Sequence, residues 1–206
     1  MDLDSYQPTD QLADERLVER YREGLDEAFT ILVKRYQQEL FHFLVRFTSN
    51  RSSAEEVFQE TFLQIYQSLD TFQTDRRFKP WLFTIASNKA RDHLRRNKRR
   101  SAAPLSAPVQ SGDDEEERSY LDLMQASLPM PDEQAVRQEI AERVKEVVST
   151  LPDHLREILL LAYFHQFPYK EIAQVLGIPL GTVKSRLHSA VGTFARAWKQ
   201  QADELD

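Results

Sequence analysis

Residues 168–198 have the sequence PYKEIAQVLGIPLGTVKSRLHSAVGTFARAW, which predicts two helices joined by a tight turn. Apolar residues recur at helical spacing on one face of the first helix: Ile172, Ala173 and Leu176. Gly177 follows, where a helix commonly ends in a residue that tolerates positive φ. Pro179 suits the first turn of the second helix, because no N–H is needed there. The stretch is therefore typical of a helix-turn-helix.

The second of these helices has two faces of very different composition. Its inward residues follow at steps of three or four: Val183, Leu187, Ala190 or Val191, Phe194 and Trp198. Its other face carries hydroxyl and cationic side chains: Thr182, Lys184, Ser185, Arg186, His188, Ser189 and Arg196. No Asp or Glu occurs between Leu180 and Gln200. Such a face after a glycine turn favours recognition of the DNA major groove over the alternative, a solvated hairpin in a helical bundle.

Length and composition limit the class of protein. A chain of 206 residues with 41% hydrophobic residues can form one domain or two small ones. It has no Cys, which excludes disulfides and Cys-based zinc sites. No apolar run approaches the roughly 18 residues of a membrane span. The N-terminus, MDLDSYQPTD, is unlike a signal peptide. We therefore expect a cytoplasmic protein with no membrane insertion.

Charge is segregated along the chain, although the formal net charge is −6. Ten Lys or Arg accompany only two Asp between Asp75 and Arg100, whereas eleven acidic residues outnumber four basic ones between Asp113 and Glu146. Salt screens charges over about 10 Å, so a basic surface can act independently of a distant acidic one. The negative total is therefore compatible with a nucleic-acid partner.

The N-terminal part predicts a helical domain over residues 11–100, after a disordered tail at residues 1–10. Helical patterns cover residues 11–21 and 26–48, and Gly24 separates them. The second pattern is rich in aromatic residues at helical spacing, which is typical of core.

A third helical pattern has an acidic outer face. Ser53 and Glu56 form a capping box that would begin a helix over residues 54–71. The outer face of this helix carries Glu55, Glu56, Gln59 and Glu60. Attraction of acidic residues to the helix dipole and a partner-binding role explain this face equally well.

A polar loop and a basic helix complete the N-terminal domain. The loop runs from Phe72 to Lys79, and Pro80 opens a helix that ends in RDHLRRNKRR, residues 91–100. Six of these ten residues are Lys or Arg, more than the helix dipole accounts for. Aromatic residues flank the loop, and bases stack on aromatic rings at about 1–3 kcal/mol each. The pattern favours single-stranded or melting DNA over the alternative, a solvated helix end.

Composition changes at Ser101. Pro, Ser, Gly and an acidic run without helical period predict a linker over residues 101–132. A C-terminal domain over residues 133–200 has a helical pattern with Val136, Ile140, Val144 and Val147 inward, and another helix before the helix-turn-helix. The sequence thus predicts an all-α fold of two small helical domains joined by a flexible acidic linker.

Three blocks in this order resemble bacterial sigma factors of the sigma-70 family, in the small extracytoplasmic-function (ECF) group. They are AEEVFQETFLQIYQSLDTF (Ala54–Phe72), FKPWLFTIASNKARDHLRR (Phe78–Arg96) and LPDHLREILLLAYFHQFPYKEIAQVLGIPLGTVKSRLHSA (Leu151–Ala190). The resemblance covers nearly everything from Leu12 to Trp198. It implies a promoter-specificity subunit of RNA polymerase, with a region 2-like domain followed by a region 4-like domain.

The resemblance also implies three sets of contacts. The clamp helices of the polymerase β′ subunit would bind Glu56, Gln59 and Glu60. An unpaired −10 strand with one flipped base would bind Phe72, the loop Gln73–Arg77, Lys79, Trp81 and Asn88, with its backbone on Arg91, Arg95 and Arg96. A duplex −35 element would bind Thr182, Lys184, Ser185, Arg186, His188 and Ser189. Many members carry Arg near Ser189, where it could bind guanine, so the −35 sequence is not implied here.

Further partners follow from the resemblance alone. They are the β flap of the polymerase and an anti-sigma protein that holds the factor inactive. The acidic linker would lie along the RNA path of the polymerase, or serve as a plain tether.

The sequence shows no carboxylate pair, metal cluster or phosphate loop placed for chemistry, and its five His are scattered. We therefore expect no enzymatic activity, metal or cofactor. The main alternative is an autonomous helix-turn-helix regulator, typically a dimer on a palindrome, which leaves the N-terminal domain unexplained. A nucleic-acid-processing enzyme would need an acidic metal site.

Overall fold

The computed structural model describes residues 8–102 and 131–203, with side chains described for residues 8–100 and 140–201. Every regular element in this part of the chain is helical, so the all-α prediction is confirmed. The N-terminal half contains a 3-10 turn (Thr9–Gln11), α1 (Asp14–Arg22), α2 (Asp26–Thr48), α3 (Arg51–Ser68), a second 3-10 turn (Leu69–Thr71) and α4 (Phe78–Ala102). The C-terminal half contains α5 (Pro131–Thr150), α6 (Asp153–Leu159), a π-helical turn (Leu160–Phe164), α7 (Tyr169–Leu176) and α8 (Leu180–Asp203).

The helices extend into both ends of the predicted linker. α4 continues to Ala102, and α5 begins at Pro131, which needs no backbone N–H in a first turn. The intervening residues 103–130 lie outside the described part of the chain. So do residues 1–7 of the predicted tail, whereas the first 3-10 turn already begins at Thr9.

Two helices begin earlier than predicted. The N-cap of α3 is Asn50, whose side-chain oxygen accepts a hydrogen bond from the Ser53 N–H at 2.8 Å. The predicted capping box at Ser53 is therefore wrong, because Asn50 takes the capping role and α3 starts at Arg51. α4 begins at Phe78, and Pro80 lies in its first turn, where its ring is tolerated.

Aromatic residues of α2 and α4 form the centre of the N-terminal half. Phe43, Phe47 and Phe83 are fully buried. The ring centroid of Phe43 lies 5.7 Å from that of Phe47 and 5.4 Å from that of Phe83. Burial of each such side chain contributes about 1.5–3 kcal/mol to stability. The aromatic stripe of α2 is therefore core, as predicted.

The apolar face of α8 is buried against α6 and α7. Of the two candidates for one inward position, Ala190 is fully buried and Val191 is exposed. Ile140 of α5 was predicted inward but is 49% exposed. The reason is that α5 is buried mainly towards its C-terminal end, at Val147 and Val148.

The two halves pack against each other, mainly through α4 and α7. The ring of Phe83 lies 5.0 Å from that of Phe167 and 5.3 Å from that of His165. Buried residues from both halves form one hydrophobic core. The sequence predicted two helical domains, but it did not predict the surface that joins them.

Candidate nucleic-acid interface

The turn between α7 and α8 has the predicted form. Gly177 ends α7 with a φ of 63°, a conformation in which a side chain is strained. The N–H of Ile178 donates to the carbonyl of Ala173 at 3.1 Å. The N–H of Val183 donates to the carbonyl of Pro179, also at 3.1 Å, in the first turn of α8. These bonds fix the direction in which α8 leaves the turn.

The polar side of α8 faces solvent. Its exposed residues are Lys184, Ser185, His188 and Ser189, and its half-buried residues are Thr182 and Arg186. We call these six residues the α8 face. They lie in the first half of α8, directly after the turn, and none of them is acidic. This arrangement fits a helix whose N-terminal part enters a major groove.

Three aromatic rings meet where the loop between α3 and α4 ends. The ring of Trp81 lies 4.8 Å from that of Phe72 and 5.6 Å from that of Phe78. Phe72 is 4% exposed, so its ring is part of the core, whereas Trp81 is half-buried. Of the two aromatic residues predicted to contact DNA, Trp81 lies nearer the surface and Phe72 supports it from within.

Further predicted contacts for the −10 strand follow along α4. Asn88 is exposed and lies seven residues after Trp81, on the same face of the helix. Arg91 donates a hydrogen bond to the Asn88 side-chain oxygen at 2.5 Å. Lys79 lies nearer the loop, with its Nζ 2.7 Å from Oε1 of Glu39. We call Trp81, Asn88 and Arg91 the α4 strip.

Arg95 and Arg96 line a groove of about 330 Å³ between α3 and α4. Its other lining residues are Glu60, Lys89, Asp92 and Arg99. Nη2 of Arg96 lies 3.5 Å from Oε1 of Glu60. The sequence predicted polymerase contact for Glu60 and DNA contact for Arg96, and the structure brings the two together. Both side chains are partly exposed, so the pair contributes little to stability.

Glu56 and Gln59, the other residues predicted to bind polymerase, lie on the exposed side of α3. The carboxylate of Glu56 is 3.6 Å from Nδ1 of His93 on α4. Farther along α3, Leu63 and Tyr66 are 58% and 54% exposed. Large exposed apolar side chains beside polar ones are typical of a protein-binding surface.

Acidic side chains of the C-terminal half contact cations of the N-terminal half. In the described part of the chain there are three pairs of this polarity, which we call the three interdomain pairs: Arg77–Glu171 (2.5 Å), Lys98–Asp153 (2.6 Å) and Arg91–Glu157 (3.8 Å). One pair has the opposite polarity, since Nδ1 of His165 lies 3.1 Å from Oε1 of Glu39 on α2. Each cation of the three interdomain pairs belongs to the loop between α3 and α4 or to α4 itself, the segments predicted to hold a DNA strand. The carboxylates therefore occupy positions on these cations that phosphate groups could take.

Glu157 is the buried acid among these pairs, with 3% of its surface exposed. Burial raises the pKa of its carboxyl group to about 7, and the nearby cations Arg91 and Arg186 act against this shift. Its Oε1 has no hydrogen-bond partner in the described part of the chain. The packing of the two halves therefore buries the Glu157 carboxyl group where its charged form is disfavoured.

Arg156, the neighbour of Glu157, connects the two halves directly. Its guanidinium donates to the Phe47 carbonyl at 2.8 Å and to the Ser49 hydroxyl at 3.0 Å, at the end of α2. It also donates to the carbonyls of Ser149 and Leu151 at 2.7 and 2.9 Å, at the end of α5. Carbonyl groups at a helix end lack partners within the helix. One buried side chain thus completes the ends of two helices.

Sequence reasoning missed Arg156, Glu157 and Glu171, because it assigned α6 and α7 a packing role only. One signal was present in LREILLLA, where two adjacent charges stand in an apolar run. Arg and Glu are almost never fully buried unless they are paired. Such a run therefore indicates either a solvated corner or a buried polar contact with another element.

Among the side chains described, those of residues 8–100 and 140–201, no group of three His, Asp or Glu is arranged to hold a metal ion. None of the helices within residues 8–102 and 131–203 combines the length and the apolar character that crossing a bilayer requires.

Two protein-family models match the chain, one in each half. Sigma-70 region 2 matches residues 32–100, which include most of α2 and all of α3. Sigma-70 region 4 matches residues 138–192, which include α6, α7 and the first half of α8.

Curated relatives match over most of their length. The RNA polymerase sigma-H factor of Pseudomonas aeruginosa is 36% identical over 180 residues, which are 87% of this chain and 91% of the relative. The ECF RNA polymerase sigma-E factor of Escherichia coli K12 is 34% identical over 182 residues, 88% of this chain and 92% of the relative. The ECF RNA polymerase sigma-E factor of Haemophilus influenzae is 32% identical, over 88% and 93%.

Solved structures share the fold. CnrH, in its complex with the cytosolic domain of CnrY, aligns with a TM-score of 0.65 and 26% identity over 92% of this chain and 99% of that one. The sigma factor RpoE of Bartonella quintana, solved with the anti-sigma factor NepR, aligns with a TM-score of 0.60 and 23% identity over 83% and 96%. The second likeness bears on the fold alone. With both sigma-70 regions in order and relatives above 30% identity over most of its length, the chain belongs to the sigma-70 family, as an ECF RNA polymerase sigma factor.

Proposed function

We propose that the protein directs core RNA polymerase to promoters by binding two DNA stretches in different forms. The −10 element binds as an unpaired strand to the −10 loop (residues 72–77) and α4, and the −35 element binds as a duplex to the α8 face. The observation that carries this proposal is that one chain presents two distinct cationic surfaces. One is flanked by aromatic rings, and the other lies on a helix after a glycine turn. The protein acts by binding, and the polymerase performs the chemistry.

At the −10 element, the α4 strip receives the flipped base. Extruding a base costs a few kcal/mol. Stacking on Trp81 contributes about 1–3 kcal/mol, and Asn88 supplies an exposed amide for hydrogen bonds. Lys79, Arg95 and Arg96 hold backbone phosphates. Phe72 contributes by supporting the Trp81 ring at 4.8 Å.

At the −35 element, the α8 face enters the major groove. Thr182, Lys184, Ser185, Arg186, His188 and Ser189 provide donors and acceptors for base edges and phosphates. A good bidentate contact to a base discriminates by about 1–3 kcal/mol. Val183 and Leu187 lie on the buried side, so they fix the orientation of the face.

Core polymerase holds the two DNA-binding domains in place. Glu56, Gln59 and Glu60 dock on the β′ clamp helices, together with the exposed Leu63, and the C-terminal domain docks on the β flap. The domains extend over residues 11–102 and 131–200, with residues 103–130 as the connection. Holding two weak DNA-binding domains at a fixed spacing raises the effective concentration of each.

Promoter binding replaces the three interdomain pairs. Arg77, Arg91 and Lys98 exchange the carboxylates of the C-terminal half for phosphates, which requires the two halves to separate. We also propose an anti-sigma partner, as the sequence resemblance implies. CnrH, which is similar to most of this chain, was solved with a protein partner, the cytosolic domain of CnrY.

Run-off transcription with bacterial core polymerase on a pool of genomic fragments tests the function. We expect discrete transcripts with the wild-type chain, loss of core binding with Glu56→Arg, and normal core binding with lost −35 contact for Lys184→Glu. Lys199→Glu, an exposed charge change near the end of α8, is the matched control and should transcribe normally. A wild-type chain that neither binds core polymerase nor yields a transcript contradicts the proposal.

A further inference from the structure

Both ends of the −10 loop are bound by side chains of α1. Glu15 and Arg22 are seven residues apart in this helix, so they lie two turns apart on one face, about 10 Å along the axis. Neither lies in the segments proposed to contact DNA. One helix face therefore spans the loop from its first residue to the start of α4.

Arg22 binds the start of the loop. Its Nη2 donates to the carbonyl of Leu69 at 2.8 Å and also to the carbonyl of Phe72. Leu69 begins the 3-10 turn that follows α3, and its carbonyl also accepts a hydrogen bond from the N–H of Phe72 at 3.3 Å. Hydrogen bonds from a guanidinium are charge-assisted and stronger than neutral ones. Arg22 therefore fixes the direction in which the chain leaves α3.

Glu15 binds the end of the loop. Its Oε1 accepts a hydrogen bond from the N–H of Phe78 at 2.8 Å. Phe78 is the first residue of α4, and the first N–H groups of a helix have no partner within it. A carboxylate is also favoured there by the helix dipole. Glu15 thus acts as a cap supplied by another helix, and it fixes the start of α4 one turn before Trp81.

The middle of the loop is exposed, whereas α1 is packed firmly against the rest of the N-terminal half. Three residues in the middle of the loop are exposed: Gln73, Asp75 and Arg76. α1 is firmly attached, because Leu17 and Val18 are fully buried and Asp14 accepts hydrogen bonds from Arg35 and Tyr36. An open loop is therefore tied at both ends to a fixed helix.

We propose that Glu15 and Arg22 are positioning residues for unpaired −10 DNA. They hold the loop backbone and Trp81 in the arrangement that receives the strand, and they do not touch the DNA themselves. This inference rests on the proposed function, in which the −10 loop and α4 bind a single strand.

Binding of a selected strand tests the inference. The probe is a fluorescein-labelled single strand selected from a randomised pool by the wild-type chain bound to core polymerase. Arg22→Ala and Glu15→Ala should each weaken probe binding about tenfold while core affinity stays within about twofold. Glu15→Gln keeps a carbonyl acceptor and should restore most of the affinity. The controls Arg20→Ala and Glu23→Ala break an exposed pair at the C-terminal end of the same helix and should bind as the wild type does.

Trp81 provides a second readout that needs no DNA. In a Trp198→Phe background it is the sole tryptophan, since the chain has two. Acrylamide quenching of Trp81 should rise in Arg22→Ala and Glu15→Ala, with unchanged helix content, and should stay at the wild-type level in the two controls.

Unchanged probe binding in both α1 variants overturns the inference. An equal loss of probe and core binding also overturns it, because these contacts would then only hold the domain together. If the wild-type chain selects no strand from the pool, the proposed function fails instead, and the quenching of Trp81 still decides whether α1 positions the loop.

Discussion

Arg156 carries four hydrogen bonds from a buried position between the two halves. Replacing it leaves the acceptors at the ends of α2 and α5 without a donor. We expect Arg156→Ala to lower the free energy of unfolding by about 3 kcal/mol. Urea denaturation followed by circular dichroism measures this change. The exposed control Lys145→Ala should fall within about 0.5 kcal/mol of the wild type, and an equal loss in both variants would contradict the role of Arg156.

Glu157 makes stability depend on pH in an unusual direction for a carboxylic acid. Its pKa is about 7 in the folded protein and 4.5 ordinarily, so the folded state holds the proton to higher pH. Its contribution is therefore fully present below about pH 4.5 and is lost as the pH rises to about 7, by at most about 3 kcal/mol. Glu157→Gln stays neutral and should be more stable than the wild type at pH 8 but not at pH 5.

Urea denaturation of both proteins at the two pH values tests this expectation. Glu23→Gln, an exposed change directly after α1, should show no such difference. Equal destabilisation by Glu157→Gln at pH 5 and pH 8 would mean that Arg91 and Arg186 stabilise the charged carboxylate fully, contrary to the expected direction.

Among the helices, those with an unambiguous start and stop were the most predictable. α2 has the predicted bounds, because Gly24 precedes it and an uninterrupted apolar stripe defines its length. The start of α3 was misplaced because Asn50 and Ser53 are both good N-cap residues. The choice between them depends on how α2 ends at Ser49, which has a φ of 55°. Local sequence does not encode that geometry clearly.

α8 contains a glycine that its helix does not require. Gly192 lies inside α8, and a Cβ placed there would approach only the end of the Arg196 side chain, at 3.8 Å. Gly192→Ala should stabilise the helix by about 0.5–1 kcal/mol and raise Tm by about 1–4 °C. Gly177→Ala should instead lower Tm, because a φ of 63° strains any side chain. Thermal melting followed by circular dichroism measures the Tm of both variants. A lower Tm for Gly192→Ala than for the wild type would contradict the expectation.

For the whole molecule, the sequence predicted the class of fold and its two helical domains, because composition changes sharply at Ser101. It did not predict that the domains share a core. Arg77 and Glu171 are 94 residues apart, and helical periodicity carries no information about such a pair. For the same reason it did not predict that Glu60 meets Arg96. The individual DNA and polymerase contacts stay predictions, although the structure exposes most of the α8 face, and exposes Asn88 in the α4 strip.

The three interdomain pairs have a consequence for how DNA binding responds to salt. A cation that binds phosphate displaces a condensed counterion from DNA. When Arg77, Arg91 and Lys98 leave their carboxylates, the freed acids attract cations from solution and cancel part of that release. We expect the plot of log affinity against log salt to be shallower, by on the order of 1–3 units of slope, for the wild type than for a variant with glutamine or asparagine at the three acids. Fluorescence anisotropy across a potassium chloride series measures both slopes, and equal slopes would exclude the exchange. In the free protein, carboxylates of its own C-terminal half thus take the place that DNA phosphates take in the complex.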